Sequence, residues 1–216
     1  MNLISLNAWS GKAGKEKILV FFERHKKDTD IFCLQEIWHN GPDLTGHKAG
    51  GNLMRGEIRN IFDEISRVLN THKGYFRPHF KDWFGLATFV RKNIDVFEEG
   101  DRFVHKHRVY EPENDIANHA RNIQYIKIRF PDGLRTIINF HGLWNGGGKG
   151  DSEERLAQSK KILEFIKELS EPFLITGDFN LAPTAESLIM LEKFGLRNLI
   201  KEYGINQPGQ VFIQSR

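Results

Sequence analysis

Four apolar runs in this sequence each end in polar side chains that packing does not require: Leu6-Asn7, Leu34-Gln35-Glu36, Phe140-His141 and Gly177-Asp178-Phe179-Asn180. Strand ends gathered on one rim are where sheets place binding and catalytic groups. Each alone has a structural reading, because Asn, Asp and Gly after a strand are ordinary turn residues and a Glu there is an ordinary solvated carboxylate. Four in one chain point to a site. Other chemistries are poorly served. Asn145-Gly146-Gly147-Gly148-Lys149-Gly150 is rich in glycine, but no Ser or Thr follows Lys149 and the glycine spacing is wrong for a nucleotide P-loop. His105 and His107 share a strand face without a Cys or further His at metal-ligand spacing, which argues against zinc. Cys33 sits inside an apolar run and reads as a buried, unreactive thiol. Trp38 and Trp83-Phe84 could stack bases or line a lipid-facing rim, but core packing and loop anchoring are the commoner uses.

The elements that must position these residues follow from hydrophobic periodicity. Leu3 to Leu6 reads as a first strand, and Gly11 and Gly14 lead into a helix with Ile18, Leu19, Phe22 and His25 at helical spacing. Ile31-Phe32-Cys33-Leu34 reads as a strand buried on both faces. The polar segment from His39 to Gly56, with its five glycines, reads as a loop, and Ile58, Ile61, Phe62, Ile65, Val68 and Leu69 make the stripe of a second helix. Gly85 to Val90 is another strand. From Phe103 to Phe140 the pattern is a meander, in which Pro131-Asp132-Gly133 joins Ile123–Phe130 to Thr136–Phe140 as an antiparallel hairpin. Asp151, three residues before Glu154, predicts a capped helix carrying Leu156, Ile162, Leu163, Ile166 and Leu169, which Pro172 ends. Phe173 to Thr176 is a further buried strand, and a last helix runs from about Ala185 to Lys193 with Gly195 as its stop. Strands outnumber helices and include hairpins, so two packed sheets with helices outside are expected rather than a doubly wound parallel sheet.

In order and approximate spacing, Leu6-Asn7-Ala8-Trp9, Leu34-Gln35-Glu36-Ile37, Asn139-Phe140-His141-Gly142-Leu143 and Gly177-Asp178-Phe179-Asn180 resemble the signatures of the endonuclease/exonuclease/phosphatase superfamily. The resemblance covers essentially the whole chain. It implies an α+β fold, a four-layer α/β/β/α sandwich of two mixed sheets flanked by helices, and a metal-dependent phosphoesterase. Such chemistry needs a hard cation on a phosphoryl oxygen, a positioned water and donors that meet the developing charge. The resemblance implies that Glu36 is the metal carboxylate with Asn7 beside it, that Asp178 orients or deprotonates the attacking water, and that Asn180 helps hold water and phosphate. It makes His141 a donor to a phosphate oxygen and Arg121 a phosphate-binding residue, although a solvated Arg at a strand end reads equally well. Asn145 and Lys149 resemble the substrate loop of abasic-site endonucleases. The implied cofactor is Mg²⁺, with Mn²⁺ as the alternative, since magnesium is typically held by one or two carboxylates.

The chain has 216 residues, of which 39% are hydrophobic and 27% charged, so it is expected to fold as one domain over residues 1–216. Its 17 Phe and 4 Trp can build a core, and a single Cys forbids an internal disulfide. No apolar run approaches the roughly 20 residues needed to span a bilayer and no leader is apparent, so a cytoplasmic setting is the expectation. A net charge of +3 permits an anionic partner without demanding one. The expected substrate is a phosphodiester, with DNA or RNA favoured over sphingomyelin or an inositol phosphate, and no obligate protein partner is expected. A non-catalytic binding domain on the same fold is the competing class. It is motivated by the stretch from Leu181 to Arg216, which contains no Asp and no His, whereas the superfamily carries a further Asp and a Ser-Asp-His segment there. Val211 to Arg216 reads as the opening of a strand, so the expectation is a domain cut short at its C-terminus with that strand lacking neighbours.

Overall fold

A computed structural model describes residues 1–49, 51–107, 118–205 and, for the backbone, 210–214. Gly50 of the 39–56 loop, residues 108–117 of the meander, and Ser215 and Arg216 lie outside the described residues. One sheet has the order β1-β2-β6-β5, built from Leu3–Asn7, Ile31–Trp38, Phe84–Arg91 and His72–Phe80. The other has the order β11-β12-β10-β9-β8-β7: Arg197–Asn198, Gln210–Gln214, Phe173–Asp178, Gly133–His141, Arg121–Phe130 and Val96–His105. Helices α1 (Lys15–His25) and α2 (Ile61–Val68) cover the outer face of the first sheet, where Ile18, Phe22 and Ile65 join Phe32, Leu34 and Phe89 in one cluster. Helices α3 (Glu153–Lys167) and α4 (Glu186–Lys193) cover the second, with Ile162, Phe165 and Leu188 against Ile138, Phe140 and Ile175. Between the sheets Ile31, Cys33 and Val90 meet Ile126, Ile128 and Ile137. The result is the expected four-layer α/β/β/α sandwich.

Strand alternation explains how the motifs reach one rim. In β2, Phe32 and Leu34 face the helices, whereas Ile31, Cys33 and Gln35 face the opposite sheet. In β9, Ile138 and Phe140 face the helices while Ile137 and Asn139 point inward. Gln35 donates to the Asn139 side-chain oxygen at 2.7 Å, and Asn139 donates to the Leu34 and Ala87 carbonyls at 3.1 and 3.2 Å. Two motif residues therefore pin the sheets to each other. Each sheet also carries a parallel pair whose C-terminal ends lie side by side: Asn7 opposite Gln35, and Asp178 opposite His141. That pairing brings all four motifs together.

Several local expectations are corrected. Asp151 does not cap α3; Ser152 does, accepting from Arg155 N at 3.3 Å, whereas Asp151 accepts from the backbone N–H groups of Glu186 and Ser187 and so caps α4. Ile58 precedes α2 rather than joining it, and the glycine-rich loop contains a small hairpin of β3 (Lys48–Ala49) and β4 (Asn52–Leu53). Strand β5, which carries Gly74 and Pro78, was not expected, because both residues read as strand breakers. Strand β12 does form at Gln210–Gln214 and lies between β10 and β11, so it has a neighbour on each side; a short helix, α5 (Leu199–Glu202), follows β11.

Candidate active site

At this rim a single amide joins two carboxylates. Asn7 Nδ2 donates to Glu36 Oε1 at 3.0 Å and to Asp178 Oδ2 at 3.1 Å. The Glu36 backbone is left-handed at φ 57°, at a register shift between Leu34 and Ile37, and this bulge re-aims a side chain that strict alternation would send to the helices. Ser10 Oγ donates to Glu36 Oε2 at 3.4 Å and itself accepts from Trp38 Nε1 at 3.1 Å. Burial pushes the Glu36 carboxyl above its ordinary range, against the opposing pull of Asn7 and of the Arg121 charge. Asp178 Oδ1 accepts from Asn180 N at 3.0 Å, and Asn180 is also left-handed at φ 55°. Gly177 and Gly142 let these turns close, because a Cβ would overlap the Phe140 carbonyl at the first and the Phe179 carbonyl at the second.

His141 is buried beside Asn180 at this rim. Asn180 Nδ2 lies 3.1 Å from His141 Nε2 and 3.2 Å from the Gly142 carbonyl, while Asn180 Oδ1 accepts from Lys149 Nζ at 3.4 Å. The amide orientation that satisfies all three makes His141 Nε2 an acceptor, and His141 Nδ1 is buried with no hydrogen-bond partner among the described residues. Burial, together with the Arg121 charge, holds its pKa well below the ordinary value. As the site stands, His141 orients Asn180; donation to a phosphate from Nε2 requires a proton there.

Arg121 is buried rather than solvated. Its Nη1 donates to His79 Nε2 at 3.3 Å and to His119 Nε2, whose ring stacks on His79 at 5.2 Å. His79 Nδ1 in turn lies 3.2 Å from Asn122 Oδ1. Both rings are neutral acceptors in this arrangement, and burial and the Arg121 charge hold His79 well below its ordinary pKa. Arg121 Nε is buried without a partner, and burial pulls the guanidinium down to about 10, which still leaves it charged at neutral pH. Lys149 Nζ lies 3.9 Å from Asp178 Oδ1. Its loop is tied down by Arg155, which donates to the carbonyls of Leu143, Gly148 and Gly150.

Two expected residues are placed differently. Asn145 turns its side-chain oxygen onto Gly147 N at 3.1 Å and does not line the cleft, where Trp144 stands instead. Asn7 Oδ1 accepts from Trp9 N at 2.9 Å, so the group it presents to the carboxylates is a donor rather than a metal-ligating oxygen. Ser10, His79, His119 and Arg155 carried no sequence signal, being single residues outside any motif. Among the described residues no group of three or more His, Cys, Asp and Glu gathers as a metal cage. The rim opens into a cleft of about 980 Å³ lined by Glu36, Arg121, His119, His141, Lys149 and Asn180, with tryptophans above them.

Two sheets with flanking helices thus gather two bridged carboxylates at one rim. The sequence model of the Endonuclease/Exonuclease/phosphatase family matches residues 4–213, and the chain belongs to that family. Its fold is similar to an endonuclease/exonuclease/phosphatase family protein from Leptotrichia buccalis, at 16% identity over 100% of this chain and 88% of that one, with a TM-score of 0.72. It is similar to the mannosyl-6-phosphatase Bt3783 of Bacteroides thetaiotaomicron (17%, 99% and 84%, TM-score 0.69) and to D. rerio TDP2 complexed with single strand DNA product (14%, 99% and 83%, TM-score 0.68). No curated protein sequence matches the chain significantly. Among the described residues no helix is long and apolar enough to cross a membrane.

Proposed function

We propose that residues 1–216 form one phosphoesterase domain that cleaves a phosphodiester of nucleic acid with the help of Mg²⁺, or Mn²⁺, at Glu36. The observation that supports this reading is the Asn7 bridge, which joins the Glu36 and Asp178 carboxylates through one side-chain amide. The donor set suits a hard cation. Glu36 is a carboxylate whose direct hydrogen-bond partners, Asn7 and Ser10, are neutral, so no cationic side chain bonded to it competes for its oxygens. A divalent ion there supplies Lewis-acid polarisation of a phosphoryl oxygen.

The chain's own residues account for the rest. Asn7 and the Asn180 backbone fix both oxygens of Asp178, which aims the carboxylate at the position of an attacking water and takes its proton. Arg121, held from behind by His79 and His119, lines the cleft and turns its charge toward the phosphate, and Lys149 meets the same charge from the glycine-rich loop. His141 keeps the Asn180 amide in line between water and phosphate. The basic rim and the TDP2 likeness favour nucleic acid, and the cytoplasm is the compartment we propose. A sugar phosphate is the second reading, favoured by the likeness to Bt3783. The test is hydrolysis of bis-p-nitrophenyl phosphate, p-nitrophenyl phosphate and a single-stranded oligonucleotide with Mg²⁺, Mn²⁺ or chelator. Cation-dependent diester cleavage abolished in Asp178→Asn is expected, and cation-independent or absent hydrolysis of all three refutes the reading.

A further inference from the structure

All four tryptophans of the chain line one cleft. They come from four separate places: Trp9 in the turn after β1, Trp38 at the end of β2, Trp83 between β5 and β6, and Trp144 after β9. Core packing accounts fully for one of them and in part for a second, Trp83, which packs against the core cluster of the first sheet. Trp38 is 2% exposed and serves Glu36 through Ser10. Trp83 stacks on it with ring centroids 4.5 Å apart at 27°, and this pair forms a wall of the cleft. Trp83 and Trp144 are half-buried, and Trp9 is 58% exposed. Trp9 also sits at φ 47°, a conformation that costs a bulky residue energy and that packing does not repay at so exposed a position. Its N–H is fastened to Asn7 Oδ1, so the exposed ring is registered to the same amide that bridges the two carboxylates.

The charges in this cleft fit the rings. Lys12, Arg55, Arg121 and Lys149 line it against Glu36 and Glu57, and Lys12 pairs with Glu57 at 2.9 Å, which leaves an excess of cations toward the phosphate end. Cationic walls that track a backbone, interleaved with aromatic faces, are what unpaired nucleic acid recognises, because every base has a π-face to stack. In a duplex those faces are covered by neighbouring base pairs. A cleft of about 980 Å³ is deep enough to take a nucleotide inside its walls.

We infer that the tryptophan-lined cleft is a base-stacking subsite, which grips an unpaired nucleobase next to the scissile phosphate and so selects single-stranded or frayed ends over duplex. The inference rests on the phosphoesterase reading but is tested by binding. Because every tryptophan lines the cleft, intrinsic tryptophan fluorescence reports on its occupancy. The 216-residue chain is titrated, without divalent cation, with a short oligothymidylate, an abasic oligomer of equal length and charge, a duplex of the same strand, and glucose 6-phosphate. The oligothymidylate is expected to quench saturably and to bind at least about tenfold more tightly than the other three. In Trp9→Ala and Trp144→Ala the difference between base-bearing and abasic oligomers falls by at least about 5-fold toward equality, while Trp9→Phe keeps most of it. Unchanged circular dichroism separates this from misfolding. Equal binding of base-bearing and abasic oligomers, equal binding of duplex, or tighter binding of the sugar phosphate would overturn the inference. Hydrolysis is scored separately: tight base-dependent binding without turnover refutes the phosphoesterase reading alone, and turnover indifferent to the base refutes the subsite alone.

Discussion

Replacing Arg121 with Met is expected to make the protein more stable and less active. The guanidinium is fully buried, no carboxylate lies within ion-pair distance of it among the described residues, and its Nε–H has no partner. Burial is the largest influence on its pKa and outweighs attraction to Glu36 and Asp178, leaving the group at about 10, well below its ordinary value. At pH 7 both folded and unfolded chains carry the proton, so the depression registers as a cost of roughly 3 kcal/mol to the fold. That cost is lifted only above pH 10, as the folded group loses its proton first. Met fills a similar volume without the charge, but it strips His79 and His119 of a donor, at about 1 kcal/mol each. The balance is a gain of about 1 kcal/mol, or roughly 2–4 °C in Tm for a chain of this length. Hydrolysis should fall about 10²- to 10³-fold, as for loss of one preorganised oxyanion donor. Calorimetry with and without inorganic phosphate checks both halves, since the variant should also lose phosphate-induced stabilisation. A Tm lowered by several degrees, or wild-type turnover, would show that Arg121 is a structural residue and that the reasoning fails.

Glu36→Gln should weaken the divalent cation dependence, raising the Mg²⁺ concentration for half-maximal activity at least tenfold. Asp178→Asn should lower kcat at saturating Mg²⁺, and two identical metal titration curves would refute this division of labour. Because His79 and His141 are held below the ordinary histidine pKa, the stability they contribute is complete above about 6.5 and is lost as pH falls toward their folded values. Thermal melts between pH 8 and 5 should show this loss, and a His79→Gln variant should show a shallower slope; identical slopes would count against it. Asp151→Ala should cost about 1–2 kcal/mol by uncapping α4 while leaving turnover per folded molecule unchanged, as melting and active-site titration would show. Gly177→Ala should abolish folding at 37 °C, since its Cβ meets backbone rather than a side chain that can move, and a soluble, active variant would contradict that geometry.

What the sequence displayed, and what it hid, divides along physical lines. Apolar periodicity carries the layers: Phe32 and Leu34 alternate with Ile31 and Cys33 because one set faces helices and the other faces a sheet, and such repetition is visible in a string of letters. The strand-end motifs were legible for the same reason, since each closes an apolar run. Single long-range partners leave no period. Asp151 and Glu154 match a capping box on α3, but the carboxylate finds Ser187, distant in sequence, because α4 packs against α3 and offers free N–H groups nearer than its own helix does. Arg121 reads equally well as a phosphate-binding or a solvated strand-end residue, because nothing in the string announces that His79, distant in sequence, will help to bury it.

The motif letters themselves carried more than one meaning. Gln35 and Glu36 are neighbours, yet one locks the sheets through Asn139 and the other, turned by a left-handed backbone, faces the cleft; Asn139 and His141 repeat this division two residues apart. A change at Gln35 or Asn139 therefore reaches the site without touching it. Each sits in an interior where an orphaned amide costs about 1–3 kcal/mol, and each fixes the strand end from which a reacting group projects. Gln35→Met should then lower Tm and turnover together. Adding Asn139→Leu removes the oxygen left unpaired but also the donor to the Leu34 and Ala87 carbonyls, so the double variant should be less stable than Gln35→Met alone. A double variant as stable as the wild-type chain would mean that the amide pair is not what joins the sheets.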